Sequence, residues 1–166
     1  PTGRPAAPRW RGGAAPRYVG AMPTAFAHTC VRVRDIAASL RFYRLLGFEQ
    51  RGRLTFETAY NVYLGLPGGP DVLELTVNVG REEPYDLGDG YNHLALVVDD
   101  LDAVLARLAE AGVAPERPPY APGGREDVGR IAFVRDPDGY RVELIDGGAF
   151  PTPQDPPHPA EAAKPR

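Results

Sequence analysis

The sequence has 166 residues and a formal net charge of −3, a length that suits one ordinary domain or two very small ones sharing a core. Its 43% hydrophobic and 25% charged residues exclude a wholly disordered chain, and the mild acidity leaves no electrostatic footprint for nucleic acid, so a small-molecule or protein partner is expected. No apolar run approaches the roughly 20 residues that cross a bilayer, and Cys30, the single cysteine, has no partner for an internal disulfide, which predicts a reducing, cytoplasmic address.

Residues 1–24 are rich in Pro, Gly, Ala and Arg without hydrophobic periodicity, a composition expected to be disordered. Their basic residues are followed by no apolar stretch of the secretory type. Met22 stands just before the first strand-like segment, so the residues ahead of it read as either a mis-assigned start or a cloning remnant. The folded region is expected over 25–150, with a first module at about 25–80 and a second at about 90–147.

The first module opens with a β segment, His28–Val33. Asp35 is suited to N-cap the helix that follows, whose apolar residues Ile36, Leu40 and Tyr43 mark one buried face. Gly47 fits the left-handed position that ends such a helix. Strands are predicted over Tyr60–Leu64 and Val72–Val77, joined by the turn residues Pro67-Gly68-Gly69-Pro70. The second module repeats the order: a β segment at His93–Val98, the cap Asp100, the helical stripe Leu101, Leu105, Leu108, and the stop Gly112. Strands Arg130–Arg135 and Arg141–Asp146 follow, joined by Asp136-Pro137-Asp138-Gly139. Residues 151–166 are a second Pro-rich stretch expected to be disordered, and they carry His158 away from any fold.

The two modules align without gaps in two blocks. An offset of 65 places His28 on His93, Asp35 on Asp100, Leu40 on Leu105 and Gly47 on Gly112. An offset of 69 places Glu74 on Glu143, Val62 on Ile131, Leu64 on Phe133 and Leu73 on Val142. The pattern is an internal duplication of a βαβββ unit with a loop insertion, an α+β fold of two tandem modules.

The duplication gives four polar residues a joint meaning. Strand alternation turns Leu73 and Leu75 away from Glu74, and Val142 and Leu144 away from Glu143, so each carboxylate projects from a strand with a buried opposite face. A lone strand histidine or glutamate is ordinarily a hydrogen-bonded or solvated residue. Here the two histidines of the folded region occupy equivalent positions, and so do the two glutamates. Residues related by a pseudo-dyad can converge on its axis, and His28, Glu74, His93 and Glu143 would offer a divalent ion two nitrogens and two carboxylates, a set for Ni, Zn, Co, Mn or Fe. Further coordination positions would stay open, as catalysis requires. Cys30 shares the face of His28 and Arg32 and is within reach of the same cavity, but a small buried thiol is the expected reading.

The segments HTCVRVRDIAASLRFYRLLGFE, VLELTVN, YNHLALVVDDLD and IAFVRDPDGYRVELI resemble the vicinal oxygen chelate superfamily with its glyoxalase/bleomycin-resistance/dioxygenase-like fold. ELTVN favours glyoxalase I (lactoylglutathione lyase) within it. The resemblance implies isomerisation of the hemithioacetal of methylglyoxal and a low-molecular-weight thiol, glutathione or an analogue, to an S-lactoyl thioester. One divalent metal would stabilise the enediolate left by removal of the C1 proton. Glu143 is implied as the base that returns this proton to C2, with Glu74 able to act from the opposite face. The resemblance also implies nickel in preference to zinc or cobalt, and a homodimer whose sites straddle the interface. Arg32 and Asn78 match thiol-binding positions of the family, and Arg125 and Arg130 in GGREDVGR are candidates for its basic loop residues. The family's arginine four residues before the second histidine is Asp89 here.

Other functions of the same scaffold are distinguishable. An acyl-CoA epimerase often has Gln in place of the first glutamate, and Glu74 argues against it. Epoxide-directed thiol transferases and ring-cleaving dioxygenases use three protein ligands, whereas this chain offers four. A metal-free drug-binding dimer tends to lose the ligands, and none is lost here.

Overall fold

The computed structural model describes residues 25–147; the two terminal stretches read above as disordered, with Met22 and His158, lie outside them. The chain runs β1 (Thr29–Arg32), α1 (Ile36–Leu45), β2 (Glu49–Thr55), β3 (Ala59–Gly65), β4 (Asp71–Asn78), β5 (Leu94–Val98), α2 (Leu101–Glu110), two 3-10 turns at Pro122–Gly124 and Glu126–Val128, then β6 (Ile131–Arg135) and β7 (Arg141–Asp146). One sheet has the order β1-β4-β3-β2 and the other β5-β7-β6. In each, the first strand of the module runs parallel to its last, and the hairpin completes the sheet antiparallel. No helix is long and apolar enough to cross a membrane among these residues.

Both helices are delimited as their residue types dictate. Asp35 accepts backbone N–H bonds from Ala37 and Ala38 at 2.9 and 3.1 Å, and Asp100 accepts one from Ala103 at 2.9 Å. At the other ends Gly47 and Gly112 take φ of +90° and +78°. Phe48 then donates its N–H back to the Tyr43 carbonyl and Val113 to that of Leu108, which closes a Schellman motif in both repeats. The Tyr43 and Phe48 rings meet edge to face, the hydrophobic contact that accompanies this motif.

A single core joins the modules. Val33, Val62, Leu64, Leu73 and Leu75 of the first pack with Leu101, Leu108, Val134, Val142 and Leu144 of the second. The Asp136–Gly139 turn locks the two together. Asp136 accepts the N–H groups of Asp138 and Tyr140 at 3.0 and 2.9 Å, and the Tyr43 hydroxyl of α1 donates to its other oxygen at 3.0 Å. Asp138 pairs with Arg34 at 3.1 Å, and Tyr140 accepts the Arg32 N–H at 3.3 Å. Burial pushes the Asp136 carboxyl above the usual aspartate range, against the three hydrogen bonds it accepts.

Two details differ from the reading of the sequence. The second module has no regular counterpart of β2. Residues 114–121 follow that path through a Glu116 N–H bond to Phe133 and a bridge between Tyr120 and Ile131. Pro115, Pro118 and Pro119 remove the donors a continuous ladder needs. The alignment of Val62 with Ile131 and Leu64 with Phe133 is also corrected by one residue. Val62 and Leu64 oppose Leu75 and Leu73, while Ala132 and Val134 oppose Leu144 and Val142. The cause is a register shift between Leu64 and Gly65 that gives the first hairpin an extra residue. A slip of one turns every side chain to the opposite face, so Ile131 and Phe133 lie with the candidate ligands rather than in the shared core.

Candidate active site

The parallel pairing of β1 with β4 sets Cys30 opposite Glu74, and that of β5 with β7 sets Ala95 opposite Glu143. His28 and His93 stand one residue ahead of β1 and β5 and share those faces by alternation. The geometry then repeats. His28 Nε2 lies 3.2 Å from Glu74 Oε2, and His93 Nε2 lies 2.9 Å from Glu143 Oε2. Each imidazole meets an aromatic ring edge to face, Tyr63 at 5.5 Å in the first module and Phe133 at 5.4 Å in the second. Both pairs occupy the side of their sheet turned away from the shared core, because Leu73, Leu75, Val142 and Leu144 fill the other side.

Glu74 is 7% exposed. Burial alone would raise its carboxyl, but hydrogen bonds from Cys30, Tyr63 and Thr76 and the neighbouring His28 outweigh it and hold the group below the usual glutamate range. The Thr76 hydroxyl donates to Glu74 Oε1 at 2.9 Å and lies 3.2 Å from Asn61 Oδ1 and 3.3 Å from Cys30 Sγ. In the second module the histidine is the anchored member. Asn92 Oδ1 accepts the Nδ1–H of His93 at 2.6 Å and a bond from Arg141 at 3.1 Å. Arg141 lies over the Phe133 ring at 3.9 Å and pairs with Glu116 at 2.9 Å. With Nδ1–H engaged, Nε2 is the nitrogen directed at the carboxylate, the arrangement in which an outer hydrogen bond orients a metal ligand.

The four predicted ligands therefore form two pairs, one on each sheet. Among the described residues no group of three or more His, Cys, Asp and Glu side chains is close enough to share an ion. Each His–Glu face also exposes apolar side chains: Leu54, whose cross-strand partner is Asn61, is 47% exposed, and Val97, two residues beyond Ala95, is 43% exposed.

The predicted thiol contacts divide. Arg32 is exposed on the face of His28 and Cys30, and Cys30 itself is exposed, which corrects the expectation of a buried thiol: it lies on the outer face of an edge strand. Asn78 follows Glu74 and Thr76 on the same face and accepts the Tyr85 hydroxyl at 3.0 Å. Arg125 pairs with Asp127 at 2.5 Å in the loop of 3-10 turns. Arg130 bridges Asp146 and Asp102 at 2.6 and 3.0 Å, beside the first turn of α2. Asn61, Tyr63, Thr76 and Asn92 were not singled out in the sequence. Thr76 was within reach, being two residues from Glu74 in one strand. Tyr63 and Asn61 required the cross-strand register, which the sequence does not print.

The model of the Glyoxalase/Bleomycin resistance protein/Dioxygenase superfamily matches residues 25–144. A probable lactoylglutathione lyase of Vibrio parahaemolyticus is 39% identical over 71% of this chain and 87% of its own length. A lactoylglutathione lyase of Salmonella typhimurium is 39% identical over 72% and 90%. Among solved structures, a trypanothione-dependent glyoxalase I of Leishmania major has 32% identity and a TM-score of 0.63 over 74% of this chain and 86% of that one. With two matched βαβ-type repeats, a His–Glu pair in each, and relatives of this closeness along most of their length, the chain belongs to the glyoxalase/bleomycin resistance protein/dioxygenase superfamily and, within it, to the lactoylglutathione lyase (glyoxalase I) family.

Proposed function

We propose that the protein is a lactoylglutathione lyase acting on the hemithioacetal of methylglyoxal and a low-molecular-weight thiol, glutathione or an analogue. The observation that carries this reading is the matched His–Glu pair on the open face of both sheets, 3.2 and 2.9 Å apart. A homodimer in which the first-module face of one copy meets the second-module face of another would join the pairs and cover Leu54 and Val97. Each site would then hold one divalent ion through His28 and Glu74 of one copy and His93 and Glu143 of the second.

The donor set fits such an ion: two carboxylates offset its charge, and each Nε2 is already directed at one of them. We favour nickel, with zinc or cobalt as alternatives. When bound, the ion supplies Lewis-acid stabilisation of the negative charge that develops as the C1–H bond breaks. Glu143 takes the C1 proton and delivers it to C2, while the hydroxyl proton on the C1 oxygen passes to the C2 oxygen, so that C2 becomes the hydroxyl-bearing carbon and C1 the thioester carbonyl. Glu74 provides the second carboxylate on the opposite side of the substrate. Arg32 and Asn78, on the module-one face, bind the thiol moiety, Arg32 through a carboxylate. The single thiol Cys30, unpaired in the structure, suits a cytoplasmic address.

The test is to add Ni²⁺ or Zn²⁺ to apo-protein with methylglyoxal and glutathione and follow thioester absorbance. Metal-dependent product growth is expected. Metal uptake without turnover points to another thiol or to an acyl-CoA epimerase. A chain that takes up no divalent ion is a metal-free binding module, and the proposal fails.

A further inference from the structure

The backbone repeats, but the surroundings of its two carboxylates do not. Strand register makes Cys30 the counterpart of Ala95, because they oppose Glu74 and Glu143 in parallel ladders. Tyr63 is the counterpart of Phe133, since each opposes the glutamate across its antiparallel ladder. Thr76 and Ile145 stand two residues beyond the glutamates, and the residues opposing them are Asn61 and Ile131. Every one of these positions is a hydrogen-bonding residue around Glu74 and an apolar one around Glu143.

The contacts follow the residue types. Glu74 accepts from Thr76 at 2.9 Å and pairs with His28 at 3.2 Å, Cys30 and Tyr63 oppose it across the two ladders and favour its charged form, and Thr76 is itself flanked by Asn61 and Cys30. Among the described residues, His93 is the polar partner of the Glu143 carboxylate. Ile131, Phe133 and Ile145 pack beside it as a small apolar cluster closed by Tyr120. Turning Glu74, which is 7% exposed, away from its present orientation would leave its buried carboxylate without the Thr76 hydrogen bond and the His28 contact, at a cost for each. Turning Glu143 breaks the His93 contact alone, and the Arg141 guanidinium over the neighbouring Phe133 ring is already engaged by Glu116 and Asn92.

We propose that Thr76, supported by Cys30, Asn61 and Tyr63, is a positioning residue that locks Glu74 into one ligand orientation, whereas the apolar set Phe133, Ile131 and Ile145 leaves Glu143 free to turn between ion and substrate. The inference rests on the metal-dependent reading above. It adds that the division of labour between the two glutamates is written in their neighbours, not in the ligands or the backbone. A hydroxyl moved from one repeat to the other should move the constraint with it.

The experiment compares Thr76→Val, Thr76→Ser and Ile145→Thr, each titrated as apo-protein with Ni²⁺ by calorimetry and assayed for kcat and KM. Thr76→Val should weaken metal binding about 10–100-fold, the usual effect of losing a residue that orients a ligand, and Thr76→Ser should recover most of it. Ile145→Thr places a donor beside Glu143. It should leave metal affinity equal or tighter and lower kcat about tenfold with little change in KM, the signature of an interaction made in the transition state alone. Should Thr76→Val fail to fold, Ile145→Thr still decides the matter from the other repeat. Wild-type metal affinity in Thr76→Val, no recovery in Thr76→Ser, or an unchanged kcat in Ile145→Thr overturns the proposal while leaving the lyase reading intact. A wild-type chain that takes up no Ni²⁺ overturns both.

Discussion

Two inactive variants should restore each other. One variant carries His28→Ala and Glu74→Gln, the other His93→Ala and Glu143→Gln. Alone, each forms dimers in which both sites lack half their ligands. The His–Glu pairs sit on different sheets and no group of three candidate ligands forms among the described residues, so in the proposed dimer a complete site draws one pair from each of two copies. A mixed dimer then contains one site with all four ligands and one with none. Random exchange of equal amounts makes about half of the dimers mixed, so the sample should recover about a quarter of wild-type activity per chain. The assay is thioester formation with Ni²⁺ after subunit exchange, with mixed dimers counted by native mass spectrometry. Sites confined to single chains predict no recovery at any mixing ratio. Verified mixed dimers that stay at the background of the parents would therefore refute the trans-subunit reasoning.

Removing the proposed base while keeping its shape, Glu143→Gln, should lower kcat about 10²–10⁴-fold with divalent metal still bound in calorimetry; retention of most of the wild-type kcat would reassign the base. Asp136→Ala strands the Tyr43 hydroxyl, which is on a side chain 1% exposed, and two turn N–H groups. It should cost about 2–4 kcal/mol in urea unfolding, and a loss under 0.5 kcal/mol would show that water replaces those bonds at about no cost. The same residue sets a pH effect. Its folded pKa lies above the unfolded value, so the native state holds the proton more tightly, and this group's penalty on stability is absent at low pH and grows as pH rises through the folded pKa. Asp136→Asn, uncharged throughout, should accordingly gain on the wild type as pH rises from acid to neutral; a pH-independent difference contradicts the assigned direction. Arg130→Ala should leave kcat and KM near wild type and lower the thermal midpoint slightly, because its partners are Asp102 and Asp146, whereas Arg32→Ala should raise KM for the glutathione adduct.

How far the sequence could be read depended on the kind of signal each element carries. Asp35, Asp100, Gly47 and Gly112 act through bonds made within a few residues, so capping chemistry alone located both helices. Glu74 and Glu143 were legible because strict alternation brackets each with buried leucine or valine. β2 carried no such signal. EQRGRLT is an edge strand whose side chains are mostly exposed, and neither apolar alternation nor turn residues mark it. β6 failed in the opposite way. Ile131, Ala132, Phe133 and Val134 are all buried, so the run is apolar in either register, and the shifted pair fitted as well as the true one. The bulge that decides between them depends on Gly65 and Asp71 meeting across the first hairpin, a long-range fact invisible in either strand alone.

That one-residue slip bears directly on the chemistry. In the shifted alignment Phe133 belongs with Leu64 in the core, and Tyr63 falls on Ala132, so Glu74 and Glu143 look like interchangeable members of a symmetric pair. In the observed register Phe133 faces His93 as Tyr63 faces His28. The comparison that matters is then Tyr63 with Phe133 and Asn61 with Ile131. Duplication explains why two histidines and two glutamates can be brought to one axis, and it constrains only the backbone and the ligands. The reaction is not symmetric: a proton leaves one carbon and arrives at its neighbour, and a carboxylate that releases its contacts serves that transfer better than one held, as Glu74 is, by a hydroxyl as well as its histidine. A fold built by repetition can supply this only by letting the residues around the ligands diverge, and the side chains next to Glu74 and Glu143 are where this chain has diverged.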